Sequence, residues 1–323
     1  MFVPDLTRRQ WLLAGGALSA ATAFGEIASA SQKPTDANGA RGAISREPFG
    51  YCLNTSTIRG QKLELPAQID VAADAGYTAV ELWVGDVQEF QRKGGSLRDL
   101  ANRLRDRGLA VPSTIAFFSW MCDDATRRAQ GLEQAKREMD LVRQIGATRI
   151  AAPPAGASDR RVDLLDAAHR YRELLDIGSS LGVVPELELW GFSKSLSRVG
   201  EAACVAMESS HPQACLLLDV FHIYKGGSDF GSLRFLNGLS MHVLHMNDYP
   251  AVPPRARIND AARIFPGDGV APLGQILRTL RDIGYRGYLS LELFNPQYWK
   301  QDAHLMARTG LQKMKHAVQT ALA

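Results

Sequence analysis

Eight short apolar runs, separated by polar loops and longer segments of helical spacing, dominate the chain from residue 48 onward. A short run without polar alternation is typical of a strand that is covered on both faces, as in a parallel sheet. The runs read FGYCLN, AVELWV, VPSTIAF, RIAAPP, VPELELW, CLLLDV, HVLHMN and YLSLELF. Eight strands are the number that a closed (β/α)8 barrel needs, and residues 48–323 are close to the ~250 residues typical of that fold.

The segments between these runs have the marks of helices. Residues 96–108 and 127–146 begin with polar residues, repeat apolar residues three or four apart and end in glycine. Strands that alternate with helices of this length predict parallel pairing through right-handed crossovers. The runner-up, an open doubly wound sheet, normally has a glycine-rich turn after its first strand, and residues 52–60 do not form one. We therefore predict a TIM barrel over residues 48–323.

Side chains that can bind a metal end four successive predicted strands. They are Glu188, Asp219, His245 and Glu292, on the fifth to the eighth strand in that order. The carboxyl ends of the strands of a parallel barrel meet at one rim, where the chemistry of such barrels takes place. The alternation of side chains along a strand places His245, rather than His242, on the inner face of the seventh strand.

Two glutamates, an aspartate and an imidazole form a hard, oxygen-rich ligand set. Such a set suits Mn²⁺, Mg²⁺ or Co²⁺ at least as well as Zn²⁺. Each residue alone would be interpreted as part of a salt bridge or as a helix cap. All four together predict one metal site, because buried carboxylates without a cation are costly. We expect one divalent ion, with Mn²⁺ as the first choice, and no organic cofactor.

The first thirty residues have a different character. Arg8 and Arg9 precede a weakly apolar stretch, and residues 28–30 supply the small residues of a cleavage site. This pattern is similar to a twin-arginine export signal that is cut after Ala30. Residues 31–47 are polar and small, which predicts a flexible linker. We therefore expect the twin-arginine machinery as a partner and a periplasmic mature protein without a membrane anchor.

Charge and cysteine content exclude other classes of partner. The formal net charge of +3 is small for 323 residues, and we find no block of lysine and arginine outside the extreme N-terminus. Nucleic acid and membrane surfaces are therefore not expected partners. The four cysteines form no C-x-x-C pair, and we expect them to be small buried hydrophobic residues.

Residues 48–323 resemble the xylose-isomerase-like barrels, a superfamily of sugar isomerases, ketose 3-epimerases, inosose dehydratases and type IV AP endonucleases. Within it they are most similar to the inosose (2-keto-myo-inositol) isomerases. The segments that carry this resemblance are LLLDVFHIY, VLHMND, RIFPGDG and LSLELFNPQYWK. The resemblance implies that the four residues above bind the metal and that Glu188 and Glu292 form an acid/base pair. It also implies substrate contacts at His222, Arg263, Glu81 and Asp248.

The chain departs from this superfamily in two respects. Its members are usually cytoplasmic, whereas this chain carries an export signal. The segment PELELWGFS lacks the LEP-N continuation of the ketose epimerases, so their substrate preference is not carried over. From the residues alone, His222 could also be a core histidine bonded to a backbone carbonyl, and Arg263 a solvated loop charge.

The residues and the resemblance together favour a metal-dependent isomerase or epimerase of a small keto-sugar or keto-cyclitol, acting through an enediolate. A lyase that dehydrates an inosose or eliminates from a 3-keto-sugar would use the same site and stays open. An AP endonuclease needs histidines on early strands, and no histidine precedes His169. A non-catalytic sugar-binding protein would not require two bases. The identity of the small keto-polyol substrate and the formation of a homo-oligomer stay open.

Overall fold

The computed structural model describes residues 48–323, which form one eight-stranded parallel sheet rolled into a barrel. The strands are β1 (Gly50–Asn54), β2 (Ala79–Trp83), β3 (Thr114–Ile115), β4 (Arg149–Ala152), β5 (Val184–Glu188), β6 (Leu216–Asp219), β7 (Met241–Met246) and β8 (Tyr288–Leu291). They pair in the order β3-β2-β1-β8-β7-β6-β5-β4. Between β3 and β4 the Thr114 hydroxyl donates to the Arg149 carbonyl at 3.4 Å. The predicted TIM barrel is therefore confirmed.

Helices surround this barrel. They are α1 (Leu65–Ala75), α2 (Val84–Arg92), α3 (Leu97–Asp106), α4 (Ala125–Arg143), α5 (Leu164–Leu181), α6 (Val199–Glu208), α7 (Val220–Gly226), α8 (Leu273–Asp282) and α9 (Ala303–Leu322). Helix α3 begins after Ser96, whose hydroxyl accepts a hydrogen bond from the backbone N–H of Asp99 at 3.2 Å. The chain leaves this helix through Gly108 at φ 69°, a conformation that glycine adopts without strain. The two helices quoted from the sequence pattern are thus present.

Side-chain alternation along the strands separates two apolar layers. Leu289, Leu291 and Leu293 point outward into the large core between strands and helices. A small inner cluster of Ile115, Ala151, Leu217 and Val243 fills the barrel. On β7 and β8, His245 and Ser290 are register partners, and both are fully buried. The inward positions above the inner cluster therefore carry polar groups at the carboxyl ends of the strands.

Some strands end earlier than their apolar runs predict. Strand β3 has two residues, Thr114 and Ile115, and it begins after Pro112, which lacks the backbone N–H that a sheet ladder needs. Strand β8 ends at Leu291, so Glu292 follows the strand rather than closing it. Other residues of these runs precede their strands, such as Val111, or begin the next helix, such as Val84 in α2 and Val220 in α7.

The export signal at 1–30 and the linker at 31–47, both predicted from the sequence, lie outside the described residues. Within residues 48–323, none of the helices has the length and apolarity needed to cross a bilayer.

We predict that Gly131→Ala destabilises the fold. A Cβ atom at Gly131 in α4 would lie 2.5 Å from the backbone carbonyl oxygen of Ser119, and backbone atoms cannot move aside as a side chain can. We expect the free energy of unfolding to fall by about 1–3 kcal/mol in chemical denaturation. Gly200→Ala in α6 is the matched control, because nothing lies within 4 Å of its added Cβ atom. The control should gain up to ~1 kcal/mol, and equal effects of the two changes would contradict the prediction.

Candidate metal centre

Three side chains of the predicted ligand set converge at the rim of the barrel. Asp219, His245 and Glu292 are buried, and their ligand atoms all lie within 4.8 Å of one another. The Nδ1 atom of His245 is 3.2 Å from Glu292 Oε2 and 3.5 Å from Asp219 Oδ2. Strands β6, β7 and β8 are neighbours in the sheet, which explains why residues at their carboxyl ends meet.

The contacts of His245 make this cluster a suitable cation site. Its Nε2 atom lies 3.1 Å from the Glu81 carboxylate, which can only accept, so Nε2 carries the hydrogen. The Nδ1 lone pair then faces two carboxylates and makes no hydrogen bond among the described residues. Such converging electron-pair donors require a cation, either a proton on Nδ1 or a metal ion. Burial lowers the pKa of His245, but the charges of Glu292 and Glu81 outweigh it and raise that pKa well above its usual range.

Glu188, the fourth predicted ligand, ends β5 and lies outside this group of three. It borders the same cavity as Glu292, is 4% exposed, and its Oε2 atom has no hydrogen-bond partner among the described residues. Burial chiefly, with a further contribution from the charge of Glu292, raises the pKa of Glu188 to about 8. A buried carboxylate oxygen without a partner is open to a cation, so this residue also fits a metal site.

Arg263 joins the acidic residues of the cluster. Its Nη1 atom donates to Asp219 Oδ2 at 2.5 Å and to Glu292 Oε2 at 2.8 Å, and its side chain is 1% exposed. Burial raises the pKa of Asp219, but the Arg263 guanidinium together with His222 and His245 outweighs it and holds that pKa well below its usual range. Arg263 is therefore part of the buried site and not a solvated loop charge.

His222 lies in α7, the helix that Asp219 caps through the backbone N–H of His222 at 2.9 Å. Arg263 Nη2 lies 3.1 Å from His222 Nε2, and because arginine can only donate, Nε2 is the acceptor. The proton is then on Nδ1, which has no partner among the described residues. Burial lowers the pKa of His222 to about 4, so the ring is neutral near pH 7. This geometry differs from that of a core histidine bonded to a backbone carbonyl.

Glu81 and Asp248, the other two residues predicted to contact the substrate, do not border the cavity. Glu81 is fully buried and accepts hydrogen bonds from Asn54 Nδ2 at 2.9 Å and Ser290 Oγ at 2.7 Å, so it supports His245 from below the cavity. The Asp248 carboxylate is occupied by the backbone N–H groups of Tyr249, Gly267, Gly269 and Ala271, at 2.7–3.0 Å. Asp248 thus holds the FPGDG loop together instead of facing a substrate.

The sequence interpretation missed two asparagines that orient the cluster. Asn54, the last residue of β1, donates to Glu292 Oε1 at 3.2 Å as well as to Glu81. Asn247 donates to both oxygens of Asp219, at 3.2 and 3.3 Å. The alternation of side chains could have predicted Asn247, because it lies two residues after His245 and is therefore expected on the same face.

A cavity of about 760 Å³ opens above the cluster. Its polar end is formed by Glu188, His222, Arg263 and Glu292, and its walls are mostly aromatic. A concave site with a few convergent polar groups is what small-molecule binding requires. The polar groups all come from the carboxyl ends of strands or from the segments that follow them, His222 from helix α7 directly after β6, as in other parallel barrels.

The fold and this cluster define a class, a parallel α/β barrel with a candidate divalent-metal site at the carboxyl ends of its strands. The chain belongs to the xylose isomerase-like TIM barrel family, whose model matches residues 69–316.

Relatives of known activity support this assignment. An inosose isomerase of Halalkalibacterium halodurans is 31% identical over 80% of this chain and 92% of its own length. An inosose isomerase of Bacillus velezensis is 25% identical over 80% of this chain and 93% of its own length. A crystal structure of the IolI protein with a bound zinc atom is 23% identical, with a TM-score of 0.78. That alignment covers 85% of this chain and 100% of the other.

We predict that Asp248→Ala acts on stability. Four backbone N–H groups lose a charged acceptor, so the free energy of unfolding should fall by about 2–4 kcal/mol in chemical denaturation. Asp268→Ala in the same loop is the matched control, because Asp268 makes only an exposed ion pair with Lys313 and should change stability by less than ~1 kcal/mol. An Asp248→Ala protein of unchanged stability with a raised KM would instead support the substrate contact predicted from the sequence.

Proposed function

We propose that this chain is a divalent-metal-dependent isomerase or epimerase of a small keto-sugar or keto-cyclitol. The observation that carries the proposal is the placement of Glu188 and Glu292 in one cavity, beside the buried group of Asp219 and His245. Two carboxylates on either side of a cation site are the groups that proton transfer next to a ketone needs. The two inosose isomerase relatives have a substrate of this chemical class.

The proposed metal ligands are Glu188, Asp219, His245 and Glu292. A divalent cation held there would supply Lewis-acid polarisation of the substrate's keto oxygen, which makes the neighbouring C–H bond more acidic. Oxygen-rich ligands of this kind favour Mn²⁺ as the working ion, with Mg²⁺, Co²⁺ and Zn²⁺ as alternatives.

Glu188 and Glu292 are the proposed acid/base pair. They reach the cavity from β5 and from the end of β8, with β6 and β7 between them. Glu188 Oε2 has no partner among the described residues, and in the ionised form that a bound cation would favour it is the atom best placed to accept the substrate proton. Glu292 is held by Arg263 and Asn54, and its protonated form would return a proton from a fixed position while Glu188 retains the one that it accepted. Return to the opposite face epimerises the substrate, whereas return to the neighbouring carbon isomerises it.

His222 and Arg263 are the proposed substrate contacts. The Nδ1–H of His222 has no acceptor among residues 48–323 and would stabilise negative charge on a substrate oxygen. Arg263 fixes the His222 tautomer and neutralises part of the charge on Asp219 and Glu292. It thereby orients the polar end of the cavity.

We expect Asp219→Ala and His245→Ala to lose the metal, whereas His222→Ala retains it. Elemental analysis after loading with Mn²⁺ measures bound metal, and a thermal melt measures the stability that the metal adds, since binding to the folded state raises its stability by mass action. His222→Ala should lower turnover by ~10²-fold, the usual effect of removing one oxyanion donor. If His222→Ala emptied the site, the ligand assignment would be wrong. Full activity after confirmed metal removal would exclude metal dependence altogether.

The reaction class is tested by proton exchange in D₂O. Metal-loaded protein is incubated with an inosose, a ketose and a 3-keto-glucoside, and NMR follows loss of the proton next to the ketone. We expect deuterium incorporation with at least one ketone, and none in Glu188→Gln, which cannot accept the proton. Accumulation of a conjugated enone would indicate the lyase reaction instead. Tight binding without exchange under any divalent metal would contradict an enzymatic role.

We also propose that the chain is exported folded by the twin-arginine route and works in the periplasm. The support is the pair Arg8 and Arg9 before a weakly apolar stretch. Folding before export would allow the metal to be loaded where Cu²⁺ and Zn²⁺, which bind such ligands more tightly than Mn²⁺, are scarce.

Replacing Arg8 and Arg9 by lysines should leave an active, full-length enzyme in the cytoplasm. Cell fractionation followed by immunoblotting and metal analysis measures this. The proposal fails if the double-lysine variant still reaches the periplasm by the general secretory route and is active there with the same metal.

A further inference from the structure

The walls of the cavity repeat one pattern. On β5 the inward Glu188 is followed two residues later by Trp190 and then by Phe192, and all three border the cavity. After β8, Glu292 is followed in the same way by Phe294. Strand alternation thus continues into the loops, so that each carboxylate at the polar end has an aromatic ring farther out on the same side.

Five rings at the cavity form what we call the aromatic arc: Phe294, Trp83, Phe117, Trp190 and Phe192. Phe294 contacts Trp83 with ring centroids 6.0 Å apart, Trp83 contacts Phe117 at 5.3 Å, and Phe117 contacts Trp190 at 5.9 Å. Phe192 stands edge-on to His222 at 5.7 Å. Phe117 and Phe192 remain 43% and 44% exposed although they border a cavity. Apolar surface concentrated in this way marks a binding site for an apolar group.

The cavity is also larger than a keto-polyol needs. About 760 Å³ lies in the upper part of the ~300–1,000 Å³ range of pockets for drug-sized ligands, and a single six-membered polyol ring is much smaller than those. The polar end can hold that ring. The outer part, bounded by the aromatic arc, then remains for a second group.

The charges around the cavity indicate that this second group is not an anion. Among the described residues that border it there is no lysine, and the one arginine, Arg263, is already bonded to Asp219, Glu292 and Asp260. Asp159 and Asp260 add negative charge at the rim. A phosphate or carboxylate on the substrate would therefore be repelled.

A second sugar ring fits the outer part less well than a hydrocarbon ring. A sugar needs partners for its hydroxyl groups, and the buried Ser193 of the wall is already bonded to the Ser158 carbonyl and to the backbone N–H of Ser195. The rings of the aromatic arc offer faces and edges for a planar apolar ring.

We infer that the substrate of this site is a keto-sugar or keto-cyclitol that carries an uncharged, planar apolar substituent, bound against the aromatic arc. This inference rests on the proposed function, since it places the keto-polyol ring at the polar end. The substituent contributes binding energy away from the reacting carbon, so it acts mainly on KM.

The test compares three 3-keto-glucosides that differ only in the aglycone: methyl, glucosyl and phenyl. Exchange of the proton next to the ketone is followed in D₂O with the Mn²⁺-loaded, full-length protein. We expect kcat/KM for the phenyl compound to exceed that for the methyl compound by about tenfold or more, chiefly through KM. Phe117→Ala and Phe192→Ala should each reduce this preference several-fold. Phe235→Ala is the matched control, because Phe235 is 78% exposed and does not border the cavity, so the preference should persist.

The outcomes separate this inference from the proposed function. Exchange with equal efficiency for methyl and phenyl compounds, or a preference for the glucosyl compound, overturns the inference and leaves the isomerase proposal standing. Absence of exchange with all three overturns the proposed function for keto-glucosides. Calorimetric binding of the unreactive phenyl and methyl β-glucosides then decides the inference alone: tighter binding of the phenyl compound, lost in Phe117→Ala, supports it, and equal binding overturns it.

Discussion

The candidate site depends on a buried ion-pair network in which one guanidinium joins two carboxylates. Arg263 contacts Asp219 and Glu292 with a single Nη1 atom, and all three residues are almost completely buried. Removing one member of such a network leaves an uncompensated charge at a typical cost of about 3–5 kcal/mol. The intact network nevertheless adds little net stability, because the cost of burying its charges offsets much of their attraction. It is therefore weak support for a purely structural role. It is better explained by a site that holds Asp219 and Glu292 beside His245, with Glu292 at the cavity.

The barrel holds this network by hydrogen bonds from strand ends. Asn54 links Glu81 to Glu292 across β1, and Asn247 holds both oxygens of Asp219. Glu81 in turn fixes which nitrogen of His245 carries the hydrogen. A ligand histidine whose other nitrogen donates to a carboxylate is oriented before the metal arrives. The adjacent parallel strands thus supply the candidate ligands and also the groups that orient them.

Above the network, the same strand alternation separates two kinds of surface. Charged groups lie at the polar end of the cavity, and aromatic rings lie one or two inward positions farther along the loops. This order divides the site into a part suited to proton transfer and a part suited to recognition. Most of the outer rings belong to loops that follow strands, whereas Trp83 ends β2, and the carboxylates lie at strand ends or directly after them.

The sequence by itself determined the eight-stranded barrel and the convergence of Asp219, His245 and Glu292. Both follow from local periodicity: short apolar runs define strands, and polar residues at the ends of neighbouring parallel strands must meet at one rim. Tertiary structure decided the roles of residues whose position no period predicts. Arg263 lies in an irregular segment, and only folding brings its guanidinium beside strands that are distant in sequence. Asp248 lies two residues after the end of the strand that bears His245, yet its carboxylate turns to the backbone of the loop at residues 267–271. Periodicity describes regular elements, whereas contacts between loops depend on packing across the whole barrel.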